Sequence, residues 1–344
     1  MTVGLVYDPV YLKHDTGAHV ENQARLVAVM ELFDKTGLLE KLVRLSPRAA
    51  TAEEIALAHS PDHVARVQSY SARGGGWLDG DTVASTDSFI VALYAVGGLL
   101  RAVDAVASGE VDQAFALVRP PGHHATRDYA MGFCLFNNVA VAARYAMANH
   151  GVERVLIADF DVHHGNGTEE IFYGDPNVLY FSTHQYPHYP GSGAVAEVGV
   201  AGGKGTTVNV PLPAFCGDEE YRRVYADVLV PVARRFRPQL ILVSAGYDAH
   251  RDDPLAAMQM TVHGFAAVGS ILKELAAELC GGRLLLSLEG GYHLQALAQS
   301  IRATLEVLLG IPVSPDPLEK AEGRAPARDI GPILDQVAAQ HELR

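Results

Sequence analysis

The sequence predicts one doubly wound α/β domain with a central, mainly parallel sheet flanked by helices. Three observations carry that prediction. Short aliphatic runs, among them Gln113–Val118, Val155–Ala158, Leu240–Ser244 and Leu284–Leu288, lack polar alternation and read as strands buried on both faces. Stretches with apolar residues at helical spacing separate them, so strand and helix alternate as in a sheet with crossover helices. No linker, low-complexity tract or internal repeat divides the 344 residues. Residues 1–312 are therefore taken as the domain. Residues 313–344, rich in Pro, Glu and Ala, are taken as a peripheral tail packed on it or extending from it.

In order, Val3–Tyr7 reads as a first strand. A polar segment through His19, Glu21 and Arg25 precedes a helix expected over Leu26–Thr36, with Gly37 as its stop. Arg73–Asp81, with three consecutive glycines, reads as a loop. Asp87 can cap the helix after it, whose apolar run Phe89–Leu100 is too short to span a bilayer. Gly132-Phe133-Cys134 leads into a helix over about Val139–Ala148, and Val178–Thr183 is a strand. Asp218 can cap a helix with Tyr221, Val224, Tyr225, Val228 and Val232 on one face, which Pro231 should bend. Phe265, Val268, Leu272, Leu275 and Leu279 mark a further amphipathic helix, and another follows Leu284–Leu288.

A formal charge of −13 argues against broad, direct nucleic-acid binding. The first residues, MTVGLVYDPV, lack the basic segment and apolar core of a signal peptide, and no membrane partner is expected. Three widely spaced cysteines, Cys134, Cys216 and Cys280, fit neither a disulfide framework nor a cysteine zinc motif. A reducing cytoplasm is the simplest compartment. The oligomeric state stays open, a homo-oligomer included.

The chemistry gathers at strand ends. Val155–Thr168, VLIADFDVHHGNGT, carries an apolar run straight into Asp159, Asp161, His163 and His164. On a strand tail residues two apart share a face, so Asp159, Asp161 and His163 would point together. Two carboxylates and an imidazole at a buried strand end call for a cation to offset their desolvation. Three other strands run directly into His123-His124, Asp248 and Tyr292. Carboxyl ends of parallel strands form the ligand crevice of an open sheet, so the four sets can meet in one pocket. Two carboxylates and one imidazole leave room on a metal for water and substrate, the open arrangement of a catalytic site.

These segments, RPPGHHA (119–125), GFCLFNN (132–138), DFDVHHGNGT (159–168), AGYDAHRDDP (245–254) and EGGY (289–292), resemble the motifs of the histone deacetylase and acetylpolyamine amidohydrolase superfamily in type and order. PPGHHA and Asn166 match its class II branch more closely. The resemblance implies a single-domain, arginase-like deacetylase fold and zinc-dependent hydrolysis of an N-acetylated amine. By resemblance Asp161, His163 and Asp248 are the zinc ligands, His123 and His124 the tandem histidines, and Tyr292 the catalytic tyrosine. His124 is expected to be general base and acid, with Asp159 and Asn166 orienting the histidine pair. Tyr292 would stabilise the oxyanion. Gly132, Phe133 and Tyr189 resemble the walls of the substrate tunnel. A structural potassium is implied at Asp159, Asp161, His163 and Ser182. Arg25 resembles the arginine near an inner acetate-release pocket. His293 departs from the Asn usual after the catalytic tyrosine.

The expected partner is an Nε-acetyl-lysine peptide or protein, or else a small acetylated amine such as an acetylpolyamine. Polyamine-selective relatives in the class II branch carry a Glu where this chain has Leu255, which favours acetyl-lysine. Iron(II) could replace zinc in the cell. Binuclear ureohydrolases share the fold but need carboxylates where this chain has Gly165 and His250, so one transition metal is expected. A non-catalytic binding protein for acetylated ligands is the third reading, and an intact Tyr292, His123 and His124 argue against it.

Overall fold

Aliphatic runs without polar alternation pair here into an eight-stranded sheet in which every neighbour is parallel. The computed structural model describes residues 1–319 and 327–343. Residues 320–326 and 344 of the expected tail lie outside the described residues. The strands are β1 (Val3–Val6), β2 (Val43–Leu45), β3 (Gly75–Trp77), β4 (Val83–Ser85), β5 (Gln113–Ala116), β6 (Val155–Asp159), β7 (Val178–Gln185), β8 (Thr207–Leu212), β9 (Leu240–Ala245) and β10 (Leu284–Leu288). The large sheet runs β2-β1-β5-β10-β9-β6-β7-β8, and β3 and β4 form a separate antiparallel hairpin. Every residue of β5, β6, β9 and β10 is buried, as strands covered by helices on both faces require.

The helices Ala24–Thr36, Ser88–Ala107, Asn138–Asn149, Val262–Leu279 and Leu294–Leu309 cover the sheet. Gly37 ends the first of these in the left-handed conformation (φ 66°). The apolar run after Asp87 lies in a longer helix, Ser88–Ala107, which by length and composition could cross a membrane; two-thirds of it is buried in the domain. Arg101, which ends the apolar run in the sequence, pairs with Glu110 at 2.7 Å while the helix continues. Asp87 holds the N-cap position but its side chain makes no capping bond. Gly217, not Asp218, is the N-cap of Asp218–Val224; Asp218 instead accepts from Thr261 N (2.8 Å) and Oγ1 (2.7 Å), tying two helices together. Before Pro231 the helix widens into a π turn, Tyr225–Leu229, and Pro231 falls in the first turn of Val230–Phe236, where a missing N–H costs least.

Two edge strands and the hairpin go beyond the sequence expectation. β2 is half-exposed and three residues long, and β8 contains Asn209 and Pro211, which an edge strand tolerates. Part of the expected glycine loop at 73–81 forms β3. In the tail, the helix Gly331–Gln340 buries Leu334 and Val337, with Ile330 just before it, against the core.

Candidate active site

The four strands that carry the polar motifs are neighbours, β5-β10-β9-β6, in the middle of the sheet. Their C-terminal ends bring His123, His124, Asp161, His163, Asp248 and Tyr292 together. Parallel register sets the heights: Asp159, the last residue of β6, lies opposite Ser182 on β7 and Ser244 on β9.

Asp161, His163 and Asp248 are buried, and one ligand atom from each lies within 4.8 Å of the others. His163 Nδ1 is 3.1 Å from Asp161 Oδ1 and 3.2 Å from Asp248 Oδ2. The second Asp161 oxygen accepts from Gly290 N (2.8 Å) and Asp248 Oδ1 from Val162 N (2.9 Å). Asp248 Oδ2, fully buried, accepts no well-formed hydrogen bond. Burial would lower the His163 pKa, but Asp161 and Asp248 outweigh it and raise it to about 10. Burial and the Asp161 charge together push Asp248 upward. Two carboxylates this close demand a positive charge between them, and an O,N,O donor set suits zinc or iron(II).

The histidines split in charge. His123 Nδ1 donates to Asp159 Oδ2 (3.1 Å), and Nε2 lies 3.8 Å from Asp161 Oδ1. Burial would lower its pKa, but the charges of Asp161 and Asp159 raise it to about 10. His124 Nδ1 faces Asn166 Oδ1 at 2.8 Å, an acceptor without charge. Burial, then the positive charges at His123 and in the Asp161–His163–Asp248 group (a proton on His163 here, the ion when a metal is bound), hold His124 well below the ordinary histidine range. A proton on Nδ1 leaves the Nε2 lone pair of His124 free. Asp159, grouped with Asp161 and His163 by alternation alone, directs Oδ2 to His123 and to the Tyr180 hydroxyl (3.1 Å). A Cβ at Gly165 would lie 2.3 Å from Asp159 Oδ2 and 2.6 Å from the Tyr180 oxygen, so a carboxylate there has no room beside these three groups.

A cavity of about 240 Å³ is lined by His123, His124, Phe133, Tyr189, Leu255 and Tyr292, with Gly132, His163 and His188 also on its wall. Gly132 (φ 56°) and Phe133 (φ 70°) are both left-handed, a conformation that strains Phe133 and suits Gly132. Their N–H groups are held by Asp81 Oδ1 (3.2 Å) and Thr82 Oγ1 (3.0 Å), residues between β3 and β4. The Phe133 ring packs edge-on to Tyr292 and His19. Tyr189 stands edge-on to His124, on a loop held by His164 to Ser192 Oγ (2.8 Å) and His184 to Gly193 O (2.9 Å). A larger, open cavity of about 620 Å³ at the other end of the sheet, lined by Arg154, Lys204 and Arg235, contains none of the motif residues.

The histone deacetylase domain profile matches residues 19–308. The chain belongs to the histone deacetylase family. Members of that family are hydrolases that act on amides. The chain is 41% identical over 351 residues to the Oryza sativa subsp. japonica protein "Histone deacetylase 10, chloroplastic", covering 96% of this chain and 79% of that one. It is 42% identical over 313 residues to the Homo sapiens protein "Polyamine deacetylase HDAC10", covering 88% of this chain and 46% of that one. The crystal structure of the HDA15 HD domain superposes with a TM-score of 0.88 at 36% identity, over 98% of this chain and 95% of that one. The expected fold and family are thus borne out.

Supporting roles for Glu289 and Glu21 were missed by sequence reasoning, and the partners of Arg25, His293 and Ser182, which it did name, are seen only here. Glu289 Oε2 accepts from Gly122 N (2.6 Å) and His123 N (3.1 Å), fixing the histidine loop from β10. Arg25, fully buried, donates to Glu289 O (2.5 Å), Gly291 O (2.7 Å) and Glu21 Oε1 (3.0 Å), with its guanidinium 4.9 Å from the Tyr292 ring centre. Glu21 also takes two bonds from Arg119, at 2.5 and 2.8 Å. His293 is the N-cap of Leu294–Leu309, its Nδ1 accepting from Ala296 N at 3.2 Å, the bond an Asn would make. Ser182 Oγ lies 2.9 Å from His184 Nδ1.

Proposed function

We propose that this histone deacetylase-family enzyme is a one-metal deacetylase that hydrolyses Nε-acetyl-lysine in peptides or proteins to acetate and free amine. The observation that carries the proposal is a neutral His124 with a free Nε2, lining the same cavity as the Asp161–His163–Asp248 group and Tyr292. A zinc ion, or iron(II) in the cell, held by those three ligands would polarise the acetyl carbonyl and acidify a water molecule. His124 accepts the proton of the attacking water at Nε2 and delivers it to the departing amine. His123, kept cationic by Asp159 and Asp161, contributes charge and hydrogen bonding to the transition state. Tyr292 donates its phenolic hydrogen to the oxygen on which charge develops. Burial raises that phenol's pKa well above its usual value, so the donor keeps its proton.

Phe133 and Tyr189 suit the methylene chain of lysine, with Gly132 giving the chain room beside His124. A potassium ion at Asp159, Asp161, His163 and Ser182 belongs to the same proposal as a structural element, as does a cytoplasmic location. Acetylpolyamine hydrolysis is the second reading. It is supported by Asp81 on the cavity wall, a negative charge able to meet a second ammonium, and disfavoured by the uncharged Leu255. The test is turnover of acetyl-lysine peptides, acetylpolyamines and longer acyl-lysines on one zinc-loaded sample. Acetyl-lysine peptides are expected to have the highest kcat/KM. A tenfold preference for acetylpolyamine would replace the first reading by the second.

A further inference from the structure

One buried carboxylate beside the cavity has no part in the mechanism above. Asp253, 6% exposed, lies on the segment after β9 and accepts three backbone N–H groups. Its Oδ2 receives Tyr292 N (2.6 Å) and His293 N (3.2 Å), and its Oδ1 receives Leu255 N (3.0 Å). Leu255 and Tyr292 both line the cavity, and the Leu255 carbonyl accepts from His188 Nε2 (3.0 Å), a third lining residue. Arg25 holds the carbonyls of Glu289 and Gly291 in the same stretch. The stretch 289–293 is thus gripped by a guanidinium on its carbonyls and a carboxylate on its N–H groups. Gly290 and Gly291 (φ 117°) precede Tyr292, so backbone preference alone does not fix the phenol.

We propose that Asp253 is a positioning residue that sets the Tyr292 hydroxyl over the metal ligands and locks it to the Leu255–His188 side of the cavity. The proposal rests on the deacetylase reading for the role of Tyr292. An ionised carboxylate can satisfy donors on both oxygens, and its charge also suits the N-terminus of Leu294–Leu309. A carboxamide cannot replace it, because one of its two ends is itself a donor and would face an N–H.

The test is a double-mutant cycle of Asp253→Asn and Tyr292→Phe in zinc-loaded protein, read as kcat and KM, with amide hydrogen exchange at Tyr292 and His293. Asp253→Asn should lower kcat about ten- to a hundredfold with KM nearly unchanged, and exchange at both amides should rise. In the Tyr292→Phe background the same substitution should change kcat by less than about threefold, since no hydroxyl is left to misplace. A kcat within twofold of wild type in Asp253→Asn, or an undiminished loss in the Tyr292→Phe background, overturns the proposal. If the wild-type enzyme hydrolyses no acetylated amine, the deacetylase reading fails by itself. Exchange then decides the clamp: faster at Tyr292 and His293 upholds it, unchanged overturns it. Should Asp253→Asn not fold, Asp253→Ser, which keeps one small acceptor, takes its place in every arm.

Discussion

Tyr292 and His124 reach one cavity from β10 and β5, so their chemistry can be separated by substitution. Tyr292→Phe removes one donor and no metal ligand. It should bind zinc as wild type does and lose about a hundred- to a thousandfold in kcat, as loss of an oxyanion donor does elsewhere. Equal turnover in that variant would remove the oxyanion role. The residues proposed to react stand out in the sequence because each stands in a short polar motif directly after an aliphatic run. The residues that hold them were not. Glu289 sits inside EGGY, yet nothing in the sequence says that its carboxylate serves the N–H groups of Gly122 and His123, 167 and 166 positions away. Tyr180 reads as an ordinary core aromatic of β7, and its bond to Asp159 becomes visible only once β6 and β7 are paired.

Among the elements, the helix Leu294–Leu309 starts at the residue that completes the tyrosine loop. His293 caps it through Nδ1, which resolves the departure from Asn as a change of capping group. His293→Ala should lower unfolding stability by about 0.5–2 kcal/mol, and His293→Asn should stay close to wild type. Urea titration checks both, and an Ala variant as stable as wild type would remove the capping role. The central strands were legible because burial on both faces leaves continuous aliphatic runs. β2 and β8 were not, since edge strands admit Arg44, Asn209 and Pro211 and lose that signature. The hairpin β3–β4 was hidden by its glycines, although the residues it presents, Asp81 and Thr82, hold Gly132 and Phe133.

Across the whole molecule, buried neutral histidines couple stability to pH. Burial lowers the pKa of His14 to about 4, of His59 to about 3 and of His341 to about 4, against an ordinary 6.5. Between about pH 6.5 and 4 the unfolded chain takes up protons that the folded chain refuses, so stability falls with pH. His250, lowered by burial to about 4, adds a fourth, and Glu289 and Asp248, each raised to about 7 with burial as the largest cause, oppose two of the four. His123, raised to about 10, is charged in both states in that window and adds no slope. Glu21 lies below the usual carboxylate range, since Arg119 and Arg25 outweigh its burial, and adds acid sensitivity only below about pH 4.5. The Tm should therefore drop from about pH 6.5 to pH 4.5, and a constant Tm over that range would contradict the effect of histidine burial. That the chain forms one such domain with its chemistry at the strand ends was legible from alternation and motif order. Which strands sit side by side was not, because β9 and β10 insert between β5 and β6 only in three dimensions.

We propose that one metal ion, held by Asp161, His163 and Asp248, serves the whole reaction. This is tested most directly by titrating chelator-stripped protein with zinc while measuring bound metal and acetate release from an acetyl-lysine peptide. Acetate release should be absent without metal and saturate at one zinc per chain, with Asp248→Ala abolishing both binding and release. Saturation at two zinc ions per chain, or acetate release from the stripped protein, would contradict the claim.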